Sequence, residues 1–125
     1  MPSVLIVDDE PDIRFLVSRM LTGDRSTWRV EEAGSGADAV RCWRETRPDV
    51  VVLDQRMPGL TGLETAARIL AENSAQTIIL FTAFRDPQLE EEAAALGIRT
   101  CVPKSEIGRL ITEVRARGEE SQAPR

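Results

Sequence analysis

The sequence predicts a doubly wound α/β fold, a five-stranded parallel sheet of order 2-1-3-4-5 with five helices on both faces. Three runs, residues 4–7, 50–53 and 78–81, are continuously apolar, as strands covered by helices on both faces must be. Segments of helical spacing separate them, and this alternation requires a mostly parallel sheet with right-handed crossovers. Residues 28–33 and 98–102 interleave apolar with polar side chains, which is the pattern of half-exposed edge strands. Central strands 1, 3 and 4 with edges 2 and 5 fit the order 2-1-3-4-5. Its topological switch lies between strands 1 and 3, and ligands of such sheets bind there, outside the strand C-termini.

The helices follow in turn. Ile13, Leu16, Val17, Met20 and Leu21 form one stripe at i, i+3, i+4, i+7 and i+8, so the first helix turns that stripe to the sheet. The second, residues 36–45, has the weakest pattern, with Val40 and Trp43 inward. Leu63, Ala66, Ala67, Leu70 and Ala71 repeat the first spacing, and Thr61-Gly62-Leu63-Glu64 before them is a capping box that starts the third helix at Thr61. Asp86-Pro87 supplies an N-cap and a first-turn proline for a helix ending at Leu96. Ile107, Leu110, Ile111 and Val114 give the fifth. The domain is expected to span residues 1–117. Residues 118–125, GEESQAPR, are polar without an apolar period and read as a frayed end or the start of a linker.

Bulk properties narrow the function. A chain of 125 residues makes one domain that buries roughly two thirds of its unfolded surface. It lacks histidine, and its two cysteines, Cys42 and Cys101, have no CxxC spacing. Zinc binding and histidine-based catalysis are thereby excluded. A net charge of -5 argues against direct nucleic-acid binding by this domain. No apolar run approaches membrane-spanning length, and the opening MPSVLIVDDE has no basic region of the kind that begins a signal peptide. A cytoplasmic location is the resulting expectation.

Each central strand ends in polar chemistry: Val7 leads into Asp8-Asp9-Glu10, Leu53 into Asp54, and Phe81 into Thr82, while strand 5 runs into Pro103-Lys104. The topology gathers these ends on one rim. Clustered carboxylates need a cation, and oxygen ligands without His or Cys favour a hard ion such as Mg²⁺. Beside a metal and Lys104, Asp54 can act as a carboxylate nucleophile toward a phosphoryl group. Helix capping is a poor alternative for Asp54, because the Thr61 capping box lies seven residues later and Pro58-Gly59 intervenes. Asp8 or Asp9 could cap the first helix, although two adjacent acids exceed what a cap needs, and Glu10 reads as a solvated neighbour.

In their order these residues resemble the receiver domain of two-component response regulators: Asp8-Asp9, Asp54 followed by Met57-Pro58-Gly59 and Gly62, Thr82-Ala83, and Lys104. The resemblance covers about the first 117 positions and implies the flavodoxin-like fold of the chemotaxis-regulator type. It also implies that Asp54 is the phosphoacceptor. Asp9, Asp54 and the Arg56 carbonyl would be direct Mg²⁺ ligands, with Asp8 bridged through water. Thr82 and Lys104 would be the switch hydroxyl and the phosphoryl-binding lysine. The implied donor is a phosphohistidine on a sensor histidine kinase or histidine phosphotransfer protein. The implied output is the face of helix 4, strand 5 and helix 5, acting on a downstream effector domain or protein or through a phosphorylation-linked dimer. Such a domain is a regulatory phosphoacceptor that catalyses only its own phosphorylation and dephosphorylation.

The sequence departs from that family at Cys101, where Tyr or Phe is common, and at Ser105, where proline often follows the lysine. Phe84, two residues past Thr82, is expected to overhang the pocket and slow attack by water. Two alternatives stay open. One is a pseudo-receiver acting as a phosphorylation-independent interaction module, against which the full set Asp8, Asp9, Asp54, Thr82 and Lys104 argues. The other is a nucleotide-binding flavodoxin-like protein, since Gly34-Ser35-Gly36-Ala37-Asp38-Ala39 fits G-x-G-x-x-A; that motif follows an edge strand and leaves Asp8, Asp9 and Lys104 unused. The Asp-x-Asp of haloacid dehalogenase-type hydrolases is broken by Arg56.

Overall fold

The computed structural model describes residues 1–23, 27–83 and 85–122. Five strands, β1 (Ser3–Val7), β2 (Arg29–Ala33), β3 (Val50–Leu53), β4 (Thr77–Thr82) and β5 (Thr100–Pro103), alternate with five helices. These are α1 (Pro11–Thr22), α2 (Gly36–Thr46), α3 (Gly62–Glu72), α4 (Pro87–Leu96) and α5 (Ile107–Gln122), the last preceded by a 3₁₀ turn at Lys104–Glu106. All pairings are parallel and the order is β2-β1-β3-β4-β5, as expected. β1 and β3 are buried along their whole length and β2 is largely not, which is the burial contrast that the apolar runs predict.

The sheet separates two cores. Leu5, Val7, Val51, Leu53 and Leu80 point to one face with Ala39, Val40, Trp43, Ala66, Ile69 and Ala93 from α2, α3 and α4. Ile6, Val52, Ile79 and Phe81 point to the other, with Val17 and Leu21 from α1 and Leu110, Ile111 and Val114 from α5. Strand alternation assigns each residue to its face.

Three expectations need correction. Leu16 is 46% exposed, because the contact of α1 with the sheet centres on Val17 and Leu21, and one residue is about 100° of helix rotation. In α3 the buried residues are Gly62, Thr65, Ala66 and Ile69, while Ala67 and Ala71 are exposed and Leu63 and Leu70 only half-buried. The larger Ile69 wins the core position, and Thr65 can be buried because its hydroxyl donates to the Thr61 carbonyl at 2.8 Å. Finally, α5 runs to Gln122, so residues 118–122, read from the sequence as a frayed end or the start of a linker, are helical. Gly118 lies flush against Trp28, whose Cζ2 would sit 2.6 Å from an added Cβ. Ser121 and Gln122 donate to the Asp49 carboxylate at 2.6 and 3.3 Å, which fastens the last turn to the N-terminal edge of the sheet. The remaining tail residues, 123–125, lie outside the described residues.

Candidate functional site

The register brings the polar strand ends level. Val7 pairs with Leu53 and Leu53 with Leu80, while Thr82 pairs with Pro103. Asp8 and Asp54 therefore leave adjacent strands side by side, and Thr82 and Lys104 leave the next two one step further on. The ladder extends into this rim, since Asp8 N–H donates to the Ala33 carbonyl at 3.1 Å and Asp54 N–H to the Val7 carbonyl at 2.9 Å. The rim is thus part of the sheet's rigid frame rather than a loose loop.

Lys104 lies at its centre. Its Nζ is 2.8 Å from Asp8 Oδ2, 3.4 Å from Asp54 Oδ2 and 3.9 Å from Glu10 Oε1. Asp8 is 2% exposed and Asp54 5%, so one ammonium faces two carboxylates withdrawn from water. Burial raises the Asp54 pKa above the ordinary carboxylate value and the charge of Asp8 raises it further, opposed by Lys104 and by the Arg56 N–H that donates to the carboxylate. For Lys104, burial disfavours the charged form, but Asp8 and Asp54 outweigh it and the pKa is raised. Asp8 Oδ2 has one close polar neighbour among the described residues, the Lys104 ammonium at 2.8 Å. That ammonium already serves this buried anionic oxygen as its counter-cation.

The acids of the first loop do not cap α1. The N-cap position is Glu10, which makes no side-chain cap bond, and Pro11 occupies the first turn. Asp8 Oδ1 instead accepts from the Glu10 N–H at 2.9 Å. Asp9 and Glu10 are exposed, and one carboxylate oxygen from each of Asp8, Asp9 and Glu10 lies within 4.8 Å of the others. That is an all-oxygen set suited to a hard divalent ion.

Asp54 is not a cap either. The helix after it is closed by the expected capping box, with Glu64 N–H donating to Thr61 Oγ1 at 3.1 Å and Thr61 N–H to Glu64 Oε1 at 2.9 Å. Gln55, which the sequence did not single out, receives the Leu63 N–H at 2.9 Å on its side chain and the Gly62 N–H at 3.0 Å on its carbonyl. A Cβ at Gly62 would lie 2.9 Å from Gln55 Cα and abut the Asp54 carbonyl. Glycine here lets α3 begin directly against the Asp54 backbone.

Beside the rim, Gln55, Arg56, Met57 and Thr82 line an open cleft of about 970 Å³ between the β3–α3 loop and the start of α4. Thr82 is 8% exposed at the end of β4. Phe84 lies outside the described residues. Cys101 is half-buried on β5, where burial pushes its thiol pKa up. The glycine-rich turn after β2 is occupied by the protein itself: Ser35 caps α2 by accepting the Asp38 N–H at 3.2 Å, and a Cβ on Gly36 would stand 2.6 Å from Leu60 Cβ. Close packing accounts for its glycine, and a nucleotide is not needed.

Another residue absent from the sequence reading is Arg14. Its Nη1 donates to the Asp8 carbonyl at 2.7 Å and its Nε to Glu32 Oε1 at 3.2 Å. No residue-type pattern flags it, because its main partner is a backbone oxygen.

Comparison with known proteins agrees with this geometry. The model of the response regulator receiver domain matches residues 4–115. The probable transcriptional regulatory protein TcrX of Mycobacterium tuberculosis is 40% identical over 81 residues, which is 65% of this chain and 34% of that protein. The transcriptional regulatory protein AfsQ1 of Streptomyces coelicolor is 42% identical over 86 residues, 69% of this chain and 37% of that protein. The chain thus spans about a third of the length of these relatives. Among solved structures, the Vibrio cholerae chemotaxis protein CheY4 superposes with a TM-score of 0.85 at 28% identity, covering 93% of this chain and 98% of that one. The response regulator TrrA of Thermotoga maritima, solved in complex with Mg(2+)-BeF, gives a TM-score of 0.83 at 31% identity over 94% of this chain and 99% of that one. With the strand order, the carboxylate pair facing a lysine and the family match all coinciding, the chain belongs to the response regulator receiver domain family.

Proposed function

We propose that Asp54 accepts a phosphoryl group from a phosphohistidine, carried by a sensor histidine kinase or a histidine phosphotransfer protein, and that Mg²⁺ is required. The observation that carries this reading is the Asp8–Lys104–Asp54 arrangement at the switch point. Asp9, Asp54 and the Arg56 carbonyl would hold the ion, with Asp8 bridged through water. The carboxylates of Asp8, Asp9 and Glu10 that lie close together support such an ion, and Asp54 reaches the same rim through its shared contact with Lys104. Mg²⁺ when bound supplies neutralisation of the charge on the phosphoryl oxygens.

The protein's own groups then divide the work. An Asp54 carboxylate oxygen attacks phosphorus in line with the leaving imidazole, and the P–N bond breaks as the O–P bond forms, its electron pair staying on the imidazole nitrogen, which takes a proton from solvent. Lys104 trades its contact with the Asp54 carboxylate for one with a phosphoryl oxygen, and Thr82 offers its hydroxyl to another. The new charge and acceptor oxygens draw on Thr82 and Lys104, which end β4 and β5, and so bias the α4–β5–α5 face. The domain is regulatory, and its chemistry is confined to its own phosphorylation and dephosphorylation. It acts in the cytoplasm on an effector domain or protein; the acidic surface leaves any DNA contact to that effector.

Incubation with Mg²⁺ and a small acyl phosphate should add one phosphoryl group to the protein and none to Asp54→Asn, as read by intact mass. Modification at another residue overturns the assignment. Intact Mg²⁺ binding without modification would instead favour a phosphorylation-independent interaction module.

A further inference from the structure

The peptide plane that carries Asp9 is fixed by a residue outside the recognised set. Asp8 has its N–H on the Ala33 carbonyl at 3.1 Å and its Oδ1 on the Glu10 N–H at 2.9 Å. Its own carbonyl receives Arg14 Nη1 at 2.7 Å. That carbonyl belongs to the Asp8–Asp9 peptide group, so the direction in which it points sets the direction in which Asp9 leaves the chain. Arg14 is anchored at the other end of its fork by Glu32 on β2, at 3.2 Å. The side chain is 19% exposed, and its guanidinium ties together three elements: the helix it sits on, the end of β1 and the edge strand. Planar and rigid, it can hold two acceptors in fixed relation, which an ammonium on a flexible stem cannot.

We infer that Arg14 is a positioning residue for the metal loop: by clamping the Asp8 carbonyl against β2 it fixes Asp9, and with it the affinity of the site for Mg²⁺. Groups that orient a metal's ligands without touching the metal commonly set its affinity. Arg14 has the geometry for that role, and the exposure of Asp9 leaves its aim dependent on the backbone beneath it. The inference rests on the Mg²⁺ reading above.

The test is calorimetric titration of Mg²⁺ alone into the metal-free chain, with unfolding midpoints measured in parallel. Arg14→Met should raise the Mg²⁺ Kd roughly tenfold, the lower end of the effect of removing a ligand-orienting partner. Arg14→Lys, which keeps the charge but not the fork, should recover only part of the loss. Glu32→Gln, a milder surface change, should weaken binding by roughly threefold in the wild-type background and not at all in Arg14→Met, because it acts through the guanidinium. Arg44→Met, which breaks the remote Arg44–Glu72 bridge between α2 and α3, should lower the midpoint while leaving Mg²⁺ affinity unchanged. A folded Arg14→Met whose Kd stays within about twofold of wild type overturns the inference, as does an equal effect of Glu32→Gln in both backgrounds. A wild-type chain that binds no Mg²⁺, or binds it equally after Asp9→Asn, overturns the metal reading itself and this inference with it.

Discussion

Lys104→Met tests the electrostatics of the rim directly. The Lys104 side chain, 15% exposed, puts its ammonium 2.8 Å from the buried Asp8 carboxylate and 3.4 Å from the buried Asp54 carboxylate. At an effective dielectric near 20, each contact is worth roughly 5–6 kcal/mol of gross attraction. Desolvation of the three groups consumes most of it, and removing one member of a buried set leaves the others uncompensated, for a net loss of about 3 kcal/mol. In a domain of this size that lowers Tm by about 10 °C. The assay is thermal and urea unfolding in chelator, repeated with saturating Mg²⁺. A ligand that binds only the folded state adds about 2.7 kcal/mol at a hundredfold excess over its Kd. The variant should gain more from Mg²⁺ than wild type, because no ammonium competes for the carboxylates. Equal midpoints in chelator, or equal gains from Mg²⁺, would refute the view that Lys104 serves as the internal counter-cation of a repelling carboxylate pair.

Two further outcomes follow from the packing. Gly108 has open space where a Cβ would go, whereas a Cβ on Gly118 would stand 2.6 Å from Trp28 Cζ2, so the same substitution in the same helix has opposite signs. Gly108→Ala should stabilise by up to about 1 kcal/mol through helix propensity, while Gly118→Ala should destabilise by about 1 kcal/mol as overpacking exceeds that gain. Matching urea midpoints for the two variants would show that Trp28 yields freely and that the last turns of α5 are not tightly docked. The second outcome concerns Cys42 and Cys101, whose thiol pKa values are both pushed above 9.0 by burial. Because the folded value is raised, the native chain carries less thiolate than the unfolded one, and the fold loses stability as pH rises above 9.0 through the raised value. Iodoacetamide at pH 8 should therefore label both several-fold more slowly in buffer than in urea. Equal rates would mean that neither thiol is shielded.

How much of this was legible in the sequence depends on the range of the contacts involved. Burial of β1, β3 and β4 is written in the residues themselves, since a strand covered on both faces admits few polar side chains. Once those strands are placed, the topology alone brings Asp8, Asp54, Thr82 and Lys104 to one rim, although 96 positions separate the first from the last. The α3 stripe was less legible: counting Ala67 and Ala71 as core gives them the same weight as Ile69, although a branched side chain gains far more from burial than a methyl group. The polar Thr65 could not be assigned to the core without knowing that its hydroxyl bonds within its own helix. Least legible was the end of α5. GEESQ has no apolar period, and what holds it is a tryptophan 90 positions away and the carboxylate of Asp49, reached from Ser121 across 72 positions.

The same division explains which site residues escaped notice. Asp8, Asp54 and Lys104 are conspicuous because a carboxylate or an ammonium at the tip of a buried strand must answer for its desolvation, and Asp9 stands out as a second acid beside Asp8. Arg14 and Gln55 work on backbone groups, the Asp8 carbonyl and the N–H of Leu63, and every residue has such groups, so no pattern of side-chain types records the contact. Their effect is nevertheless to hold the peptide planes from which the conspicuous residues extend. Rigidity at this rim is therefore distributed: the strands set where Asp8 and Asp54 stand, while Arg14 and Gln55 set how the chain turns away from them. A phosphoryl group on Asp54 would meet Thr82 and Lys104 at the ends of two further strands, with Arg14 on the opposite side of Asp8. Changes at Arg14 should accordingly alter metal affinity without altering how Thr82 and Lys104 answer the phosphoryl group, whereas changes at Lys104 should alter both.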